Sequence, residues 1–284
     1  SSAVGQGAAV GVFGGGVAFG HGDLRGSVNG ENGAFATATT NGADINLNSG
    51  YAAGVFNGGA AITLNNANAE AIVNNDVNTT VYSDMKAVGV FGGGFALSME
   101  GTTGGTKVQS ADVLANSSVT TSNINVKGGV VDGIYGGGMA IGNSVLNSNG
   151  NDAVTTVTNS NITVDSGTIK NLELISIMDA SKNDNDTENG YPQWNSLGLN
   201  ASMAMADLKG ITDETSIAAG GMGMSMTGYS EVTNANITIN GGTVEKDILG
   251  GGIAVDNMES NSGAYVETSK ITLNSGAVIK GNVY

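Results

Sequence analysis

Apolar and polar residues alternate in five short stretches of this chain. Ile, Val or Leu takes every second position, mostly Asn and Thr take the positions between, and a pair ending in Gly follows; the stretches are residues 43–50, 122–129, 160–167, 235–242 and 269–276. A period of two is the pattern of a strand with one buried face. The glycine can adopt a positive φ and turn the chain. The pattern therefore predicts short strands that end in tight turns.

Glycine runs form a second motif, and each run is preceded by a large apolar residue. The five clear copies follow Phe13, Phe56, Phe91, Tyr135 and Leu249. Their intervals are 43, 35, 44 and 114 residues, and the longest leaves room for two degenerate copies, one ending at Leu174 and one near residues 219–222. A recurrence of this length over the whole chain is typical of repeat architectures.

The glycine runs are interpreted as turns of the repeat rather than as flexible linkers, because they keep a fixed apolar flank. Glycine in a strand marks a close backbone approach or a tight bend, and we expect the runs of successive units to lie above one another. The predicted repeat-turn glycines are Gly14, Gly15, Gly16, Gly58, Gly59, Gly92, Gly93, Gly94, Gly136, Gly137, Gly138, Gly250, Gly251 and Gly252.

These patterns predict an all-β fold, a right-handed parallel β-helix, or β-solenoid, of stacked repeats. A single proline and few helix-favouring stretches argue against an α-rich protein. We expect one domain over residues 1–284, since a repeat fold uses such a length without a globular core. Residues 179–196 are polar, hold the only Pro and the only Trp, and are predicted to protrude from the stack as a loop.

The charge balance and the residue usage exclude several classes of partner. The net charge is −15 and only ten basic residues are present, so no basic surface is expected for nucleic acid or anionic lipid. Cysteine is absent, which excludes disulfides and thiolate metal sites and is compatible with a secreted bacterial protein. No apolar run reaches the roughly 18 residues that a membrane-spanning helix needs.

Candidate catalytic residues are few. The only histidine is His21, within Gly20-His21-Gly22, a tripeptide similar to one element of pectin-degrading β-helix hydrolases. Those enzymes also carry carboxylate motifs upstream, and this chain does not. Arg25 is the only arginine, so an acidic polysaccharide would find little positive charge. We predict that the protein is not an enzyme, with a polysaccharide-degrading β-helix as a minor alternative.

A weak calcium site is predicted within the 179–196 loop. Asp184, Asp186 and Glu188 alternate there and could supply oxygen ligands. The spacing does not match the helix-loop-helix calcium signature, so a solvated loop is the favoured interpretation. No other cofactor is expected. Tyr191 and Trp194 are interpreted as pinning this loop to the stack.

Three methionines alternate along one further stretch. Met222, Met224 and Met226 have the period of a strand face, and we expect them to fill the core rather than to bind a soft metal.

Three phrases resemble the passenger repeats of Gram-negative autotransporter-type surface proteins and related filamentous adhesins. They are GVVDGIYGGGMA at 129–140, GTVEKDILGGGIA at 242–254 and SGAVIKGNVY at 275–284. The resemblance implies a parallel β-helix, secretion to the cell exterior and a structural or adhesive role. No catalytic residue carries over from it.

The first functional hypothesis is an extracellular subunit, on the surface of a bacterium, that stacks head to tail with itself into a filament or matrix fibre. Both chain ends resemble interior units, which predicts joints at residues 1–20 and 270–284. The interface candidates are Val12, Phe13, Ile271, Leu273, Val283 and Tyr284. The alternative is an adhesin fragment that binds cell-surface glycans or proteins through a lateral face. No nucleic acid or membrane insertion is expected.

Overall fold

The computed structural model describes residues 8–9, 11–21, 35–64, 68–99, 102–103, 106–107, 114–143, 153–172, 213–224, 228–255 and 263–284. Every named element among them is a β-strand, so the predicted all-β class is confirmed. In chain order the strands are β1 (Ala8–Ala9), β2 (Val12–Phe13), β3 (Val17–His21), β4 (Phe35–Thr40), β5 (Ala43–Ala52), β6 (Val55–Phe56), β7 (Ala60–Leu64), β8 (Asn68–Phe91), β9 (Phe95–Met99), β10 (Thr102–Thr103), β11 (Thr106–Lys107), β12 (Ala115–Val126), β13 (Val130–Tyr135), β14 (Met139–Asn143), β15 (Ala153–Val164), β16 (Thr168–Lys170), β17 (Thr215–Ala218), β18 (Met222–Met224), β19 (Gly228–Val244), β20 (Asp247–Leu249), β21 (Ile253–Val255) and β22 (Gly263–Ile279).

Two parallel sheets contain all of these strands except β10 and β11, which form an antiparallel pair. Sheet A has 14 strands, and sheet B has six strands in the order β21-β18-β14-β9-β7-β3. Within sheet A, the pairings β8–β12–β15–β19–β16–β13–β8 form a closed circuit. The circuit closes because β8 and β19 are each long enough to pair with two different strands of a neighbouring rung. β8 pairs with β12 through residues 69–81 and with β13 through residues 86–91.

The chain passes from sheet A to sheet B several times, and we call each passage a rung. Six described rungs have strands in both sheets: residues 8–21, 35–64, 68–99, 115–143, 153–172 with 213–224, and 228–255. Residues 263–284 are counted as a seventh rung, of which the structure describes only the strand in sheet A. All described pairings within sheets A and B join strands of consecutive rungs. Like residues meet in register, for example Ile124 with Ile162 and Val126 with Val164. The alternation of apolar positions therefore continues across strands as columns of one residue type.

The fifth rung differs from the sequence prediction. β16 pairs with the first half of β13, where Val130 meets Thr168, and β17 pairs with its second half, where Ile134 meets Ile217. The strands β16 and β17, which lie in the two degenerate copies predicted there, therefore belong to one rung, and the prediction of two separate copies is wrong; Leu174 itself lies outside the described residues. An insertion between two strands of a rung lengthens the chain without adding a rung. Residues 173–212 lie outside the described part.

Apolar side chains pack on both faces of the strands that flank the glycine runs. The inward face contributes to the largest cluster, with Val90, Ile134, Ile217 and Ile248, all of which are buried. The opposite face contributes Phe91, Tyr135 and Ala218 to a second cluster, with Met222 and Met224 of sheet B. The two methionines are thus core residues, as predicted, and Met226 lies outside the described residues. Residues 133–142 are consequently buried without interruption.

Within the described ranges, no helix has the length and the apolar character needed to cross a membrane.

Candidate functional site

The glycine runs of neighbouring rungs lie above one another and are joined by backbone hydrogen bonds. The N–H of Gly58 donates to the carbonyl of Gly93 at 3.1 Å, and the N–H of Gly93 donates to that of Gly137 at 3.1 Å. Residues 219–221 belong to the same column, because the N–H of Gly220 donates to Gly251 at 3.0 Å. The degenerate run thus occupies the same position as the complete ones.

Close packing across the interior explains why these positions are glycine. The last glycine of a run faces a small residue at the start of the same rung. A Cβ built on Gly59 would lie 2.8 Å from the Cβ of Ala38, and one on Gly94 would lie 2.7 Å from the Cβ of Ala71. Real Cβ atoms do not approach so closely. The described glycines with positive φ lie elsewhere, as at Gly129 in the turn before β13.

This pairing of a glycine with a small residue is incomplete in the first and last described rungs. Ser117, Thr155 and Ser230 continue the column of Ala38 and Ala71, and all of them are buried. Ala264 takes the same register position in β22, yet it is exposed. At the other end, a Cβ built on Gly16 has no atom of the described residues within 4 Å. Within the described residues, the first rung therefore shows only the glycine of this pairing, and the last rung shows only the small residue.

Aromatic rings form a stacked column beside the glycine runs. Phe13, Phe56, Phe91 and Tyr135 have successive centroid distances of 5.5, 4.7 and 4.8 Å and nearly parallel planes. Tyr135 is fully buried, and burial raises the pKa of its phenol. Phe13 begins the column and is 39% exposed. Stacked rings of this kind stabilise a fixed register between rungs.

Tyr284 takes the equivalent position in the last rung. Its carbonyl accepts a hydrogen bond from Gly250 N–H at 3.0 Å, as the carbonyl of Tyr135 accepts one from Gly92 at 2.9 Å. The Tyr284 side chain is 70% exposed.

An outward-facing column of asparagines runs along sheet A. Each Nδ2 donates to the Oδ1 of the residue in the preceding rung, at 2.6 to 3.1 Å; the column comprises Asp44, Asn78, Asn123, Asn161 and Asn236. Lys270 is in register with Asn236 in the last rung. The column therefore has an acidic residue at one end and a basic residue at the other. The sequence prediction missed it, although the second residue of each alternating stretch carries the signal.

β22 leaves inward-facing side chains exposed. Among the described strands it pairs only with β19. Leu273 is 46% exposed, whereas Ile239, its partner in β19, is fully buried. A cavity of about 550 Å³ opens here, lined by residues 249–252, Val266, Ser269, Ile271 and Tyr284. The edge thus combines unpaired backbone with apolar surface.

The predicted interface residues lie in two groups at the outer rungs. Val12 and Phe13 form β2 in the first rung, paired with Val55 and Phe56. The other four predicted residues lie in the last rung, where Ile271 and Leu273 line the open edge, Val283 is half-exposed and Tyr284 is largely exposed.

The predicted calcium ligands Asp184, Asp186 and Glu188, and the aromatic residues Tyr191 and Trp194, lie outside the described residues. The backbone of His21 ends β3 and pairs with Leu64. Within the described ranges, no group of three His, Cys, Asp or Glu side chains could hold a metal ion.

Comparisons of this chain with protein-family models, with curated proteins and with solved structures found no match.

Proposed function

We propose that this chain is an extracellular structural subunit of a bacterial surface filament or matrix fibre. In this proposal the rungs are the coils of a right-handed parallel β-helix, and copies stack end to end along its axis. The observation that carries the proposal is the open edge of β22, where Leu273 and its neighbours expose side chains that the inner rungs bury. The protein would act by assembly and not by catalysis.

The parallel pairings favour the β-helix. Each described strand of sheets A and B pairs only with strands of the rung before or after its own, as expected for coils stacked along one axis. The closed circuit in sheet A fits the same arrangement, since β8 and β19 each extend over two sides of a coil.

An open parallel edge favours a chain of copies over a closed dimer. Unpaired strand edges with apolar side chains pair readily with other strands. The two end rungs present different residues, so a contact between them is heterologous, and such contacts continue into filaments when the rotation does not close a ring. A two-fold dimer would place two β22 strands antiparallel and break the columns of like residues.

Electron microscopy of the purified chain at micromolar concentration tests this proposal. Long uniform threads are expected, with an axial repeat of a few tens of ångströms set by the spacing of roughly 4.8 Å per rung. Isolated short rods would overturn it. Leu273→Lys is expected to abolish the threads and keep the fold, because this side chain is already half-exposed. Thr163→Lys, on the outward face of the fifth rung, is the matched control and should leave the threads unchanged.

The lateral face of sheet A supports the second candidate function, adhesion to cell-surface glycans or proteins. Outward-facing polar residues recur in register there, as Asn125, Thr163 and Thr238 do in three successive rungs. The neighbouring asparagine column fixes the spacing of this face through its hydrogen bonds. Binding of isolated rods to glycan arrays, lost on Thr163→Lys, would favour adhesion over assembly.

A further inference from the structure

In the first and last described rungs, one packing motif lacks one of its two residues among the described residues. In the inner rungs the last glycine of each run is covered by a small residue near the start of the same rung, as Gly94 is by Ala71. Among the described residues, Gly16 has no such cover, and Ala264 is exposed and has no glycine opposite it. The described part of the first rung therefore supplies the glycine of the motif, and the described part of the last rung supplies the small residue.

The asparagine column adds a charge match between the same two ends. Asp44 lies in the second rung and Lys270 in the seventh, both in the register position that asparagine occupies in between. If the last rung of one copy lies at the level of the first rung of the next, β22 faces β5 of that next copy. Lys270 is then one rung away from Asp44, and Gly16 is opposite Ala264.

This alignment places two segments in one position. Followed from rung to rung, the strand register relates Val278 and Ile279 to Ala8 and Ala9. It also relates Val283 to Val12, so that Tyr284 corresponds to Phe13. Both segments end in Val followed by an aromatic residue. Residues 278–284 can therefore occupy the place of β1 and β2 without a change in the type of side chain at the aromatic column.

We propose that copies join by strand exchange: residues 278–284 of one copy replace β1 and β2 of the next, so that two half rungs become one complete rung. This inference rests on the proposed end-to-end assembly. Tyr284 of one copy then stacks on Phe56 of the next, and the glycine run of residues 14–16 fills the cavity beside Val266 and Ser269.

The contacts that hold each segment in its own copy determine whether β1 and β2 or residues 278–284 are displaced. β1 and β2 have two residues each and pair on one side with β5 and β6. Residues 278–284 are held within their own copy by an ion pair between Lys280 and Glu245 at 2.7 Å, and by a hydrogen bond from Asn282 N–H to Asp247 at 2.7 Å. The segment of residues 278–284 therefore stays in place, and β1 and β2 of the incoming copy are displaced.

Cysteine pairing tests the exchange directly, because the chain has no cysteine of its own. Asp44→Cys protein and Lys270→Cys protein are mixed under assembly conditions and oxidised. A disulfide-linked heterodimer is expected, since neighbouring rungs are roughly 4.8 Å apart, within the Cα spacing of about 4.4–6.8 Å that a disulfide needs. The double variant Asn123→Cys/Asn161→Cys is the positive control, since these residues are one rung apart within one chain.

The outcomes separate the exchange from the assembly itself. Simple stacking of a first rung on a last rung leaves these two cysteines two rungs apart, about 9–10 Å, which is beyond disulfide reach. Threads without the heterodimer would therefore overturn the exchange alone. Absence of both threads and heterodimer would overturn the proposed assembly together with it.

Ring truncation gives an independent readout. Tyr284→Ala is expected to raise the critical concentration for threads roughly 30-fold, as the loss of an aromatic anchor does at an interface. Phe13→Ala is expected to leave the critical concentration unchanged or to lower it, because the strand exchange displaces Phe13 from the joint. An equal loss in both variants would favour simple stacking and overturn the exchange. The threads should also repeat every six rungs, roughly 29 Å, rather than every seven rungs, roughly 34 Å.

Discussion

Asn161 donates a hydrogen bond from Nδ2 to Oδ1 of Asn123 in the preceding rung, at 2.9 Å. Asn161 also accepts one from Asn236 at 3.1 Å. Both contacts lie on the outward face of sheet A, where polar side chains would otherwise bond only to water. Amide ladders of this kind stabilise stacks of parallel, in-register strands. The outer face therefore fixes the same register as the apolar columns inside.

Asn161→Ala is the substitution that tests the ladder, because it removes both bonds of one rung. We expect the free energy of unfolding to fall by about 1–2 kcal/mol, at roughly 1 kcal/mol for each neutral hydrogen bond. Urea denaturation followed by circular dichroism measures this. Asn125→Ala is the matched control, since Asn125 lies on the same face and has no side-chain hydrogen bond within the described part of the chain. This substitution should change the free energy of unfolding by less than about 0.5 kcal/mol. Equal losses in the two variants would contradict a structural role for the ladder.

The glycine runs give a second prediction. A Cβ on Gly94 would lie 2.6 Å from the carbonyl oxygen of Gly59, a backbone atom that cannot move aside. We expect Gly94→Ala to destabilise the protein by about 1–3 kcal/mol through overpacking. Gly16→Ala adds the same methyl group where the described structure leaves space, and it should be neutral below the assembly concentration. Thermal unfolding of the two variants compares them, and similar melting temperatures would show that the runs are not packing constraints.

Much of the architecture could be predicted from the sequence, because the apolar period and the glycine runs are local signals. The stretch 122–129 forms the end of β12 and the following turn, as the alternation predicted. The join of β16 and β17 into one rung could not be predicted, since it depends on pairing with β13 across an insertion. The proposed pairing of Gly16 with Ala264 of another copy could not be predicted for the same reason. Each residue is ordinary in its local sequence, and only the register shows that it has no partner among the described residues.

The buried phenol of Tyr135 predicts a response to alkaline pH. Its hydroxyl has no hydrogen-bond partner among the described residues, and burial raises its pKa above the ordinary value of about 10. Above pH 10 or so the unfolded chain releases this proton and the folded protein does not, so stability falls as the pH rises. We expect Tyr135→Phe to be more stable by about 1 kcal/mol at neutral pH, because an unsatisfied group is removed, and to lose less stability between pH 9 and 11 or so.

Chemical denaturation at several pH values measures this difference. Tyr265→Phe, at a largely exposed site, is the control and should follow the original protein at every pH. A parallel decline of Tyr135→Phe and the original protein would show that the phenol does not carry the alkaline response.

The opposite charges at the two ends of the asparagine column give the last prediction. In the proposed joint, Lys270 of one copy lies one rung from Asp44 of the next. Lys270→Glu would then place two carboxylates side by side, and we expect the critical concentration for threads to rise several-fold at low salt. The double variant Asp44→Lys/Lys270→Glu restores the opposite charges with their positions exchanged, and its critical concentration should fall well below that of Lys270→Glu, even though lysine cannot accept the hydrogen bond that Asn78 donates to Asp44. Raising the salt to about 1 M shortens the Debye length to roughly 3 Å. The critical concentrations of the original chain, the single variant and the double variant should then become similar. Light scattering against concentration measures the effect, and a single variant that assembles normally at low salt would show that the two residues do not meet.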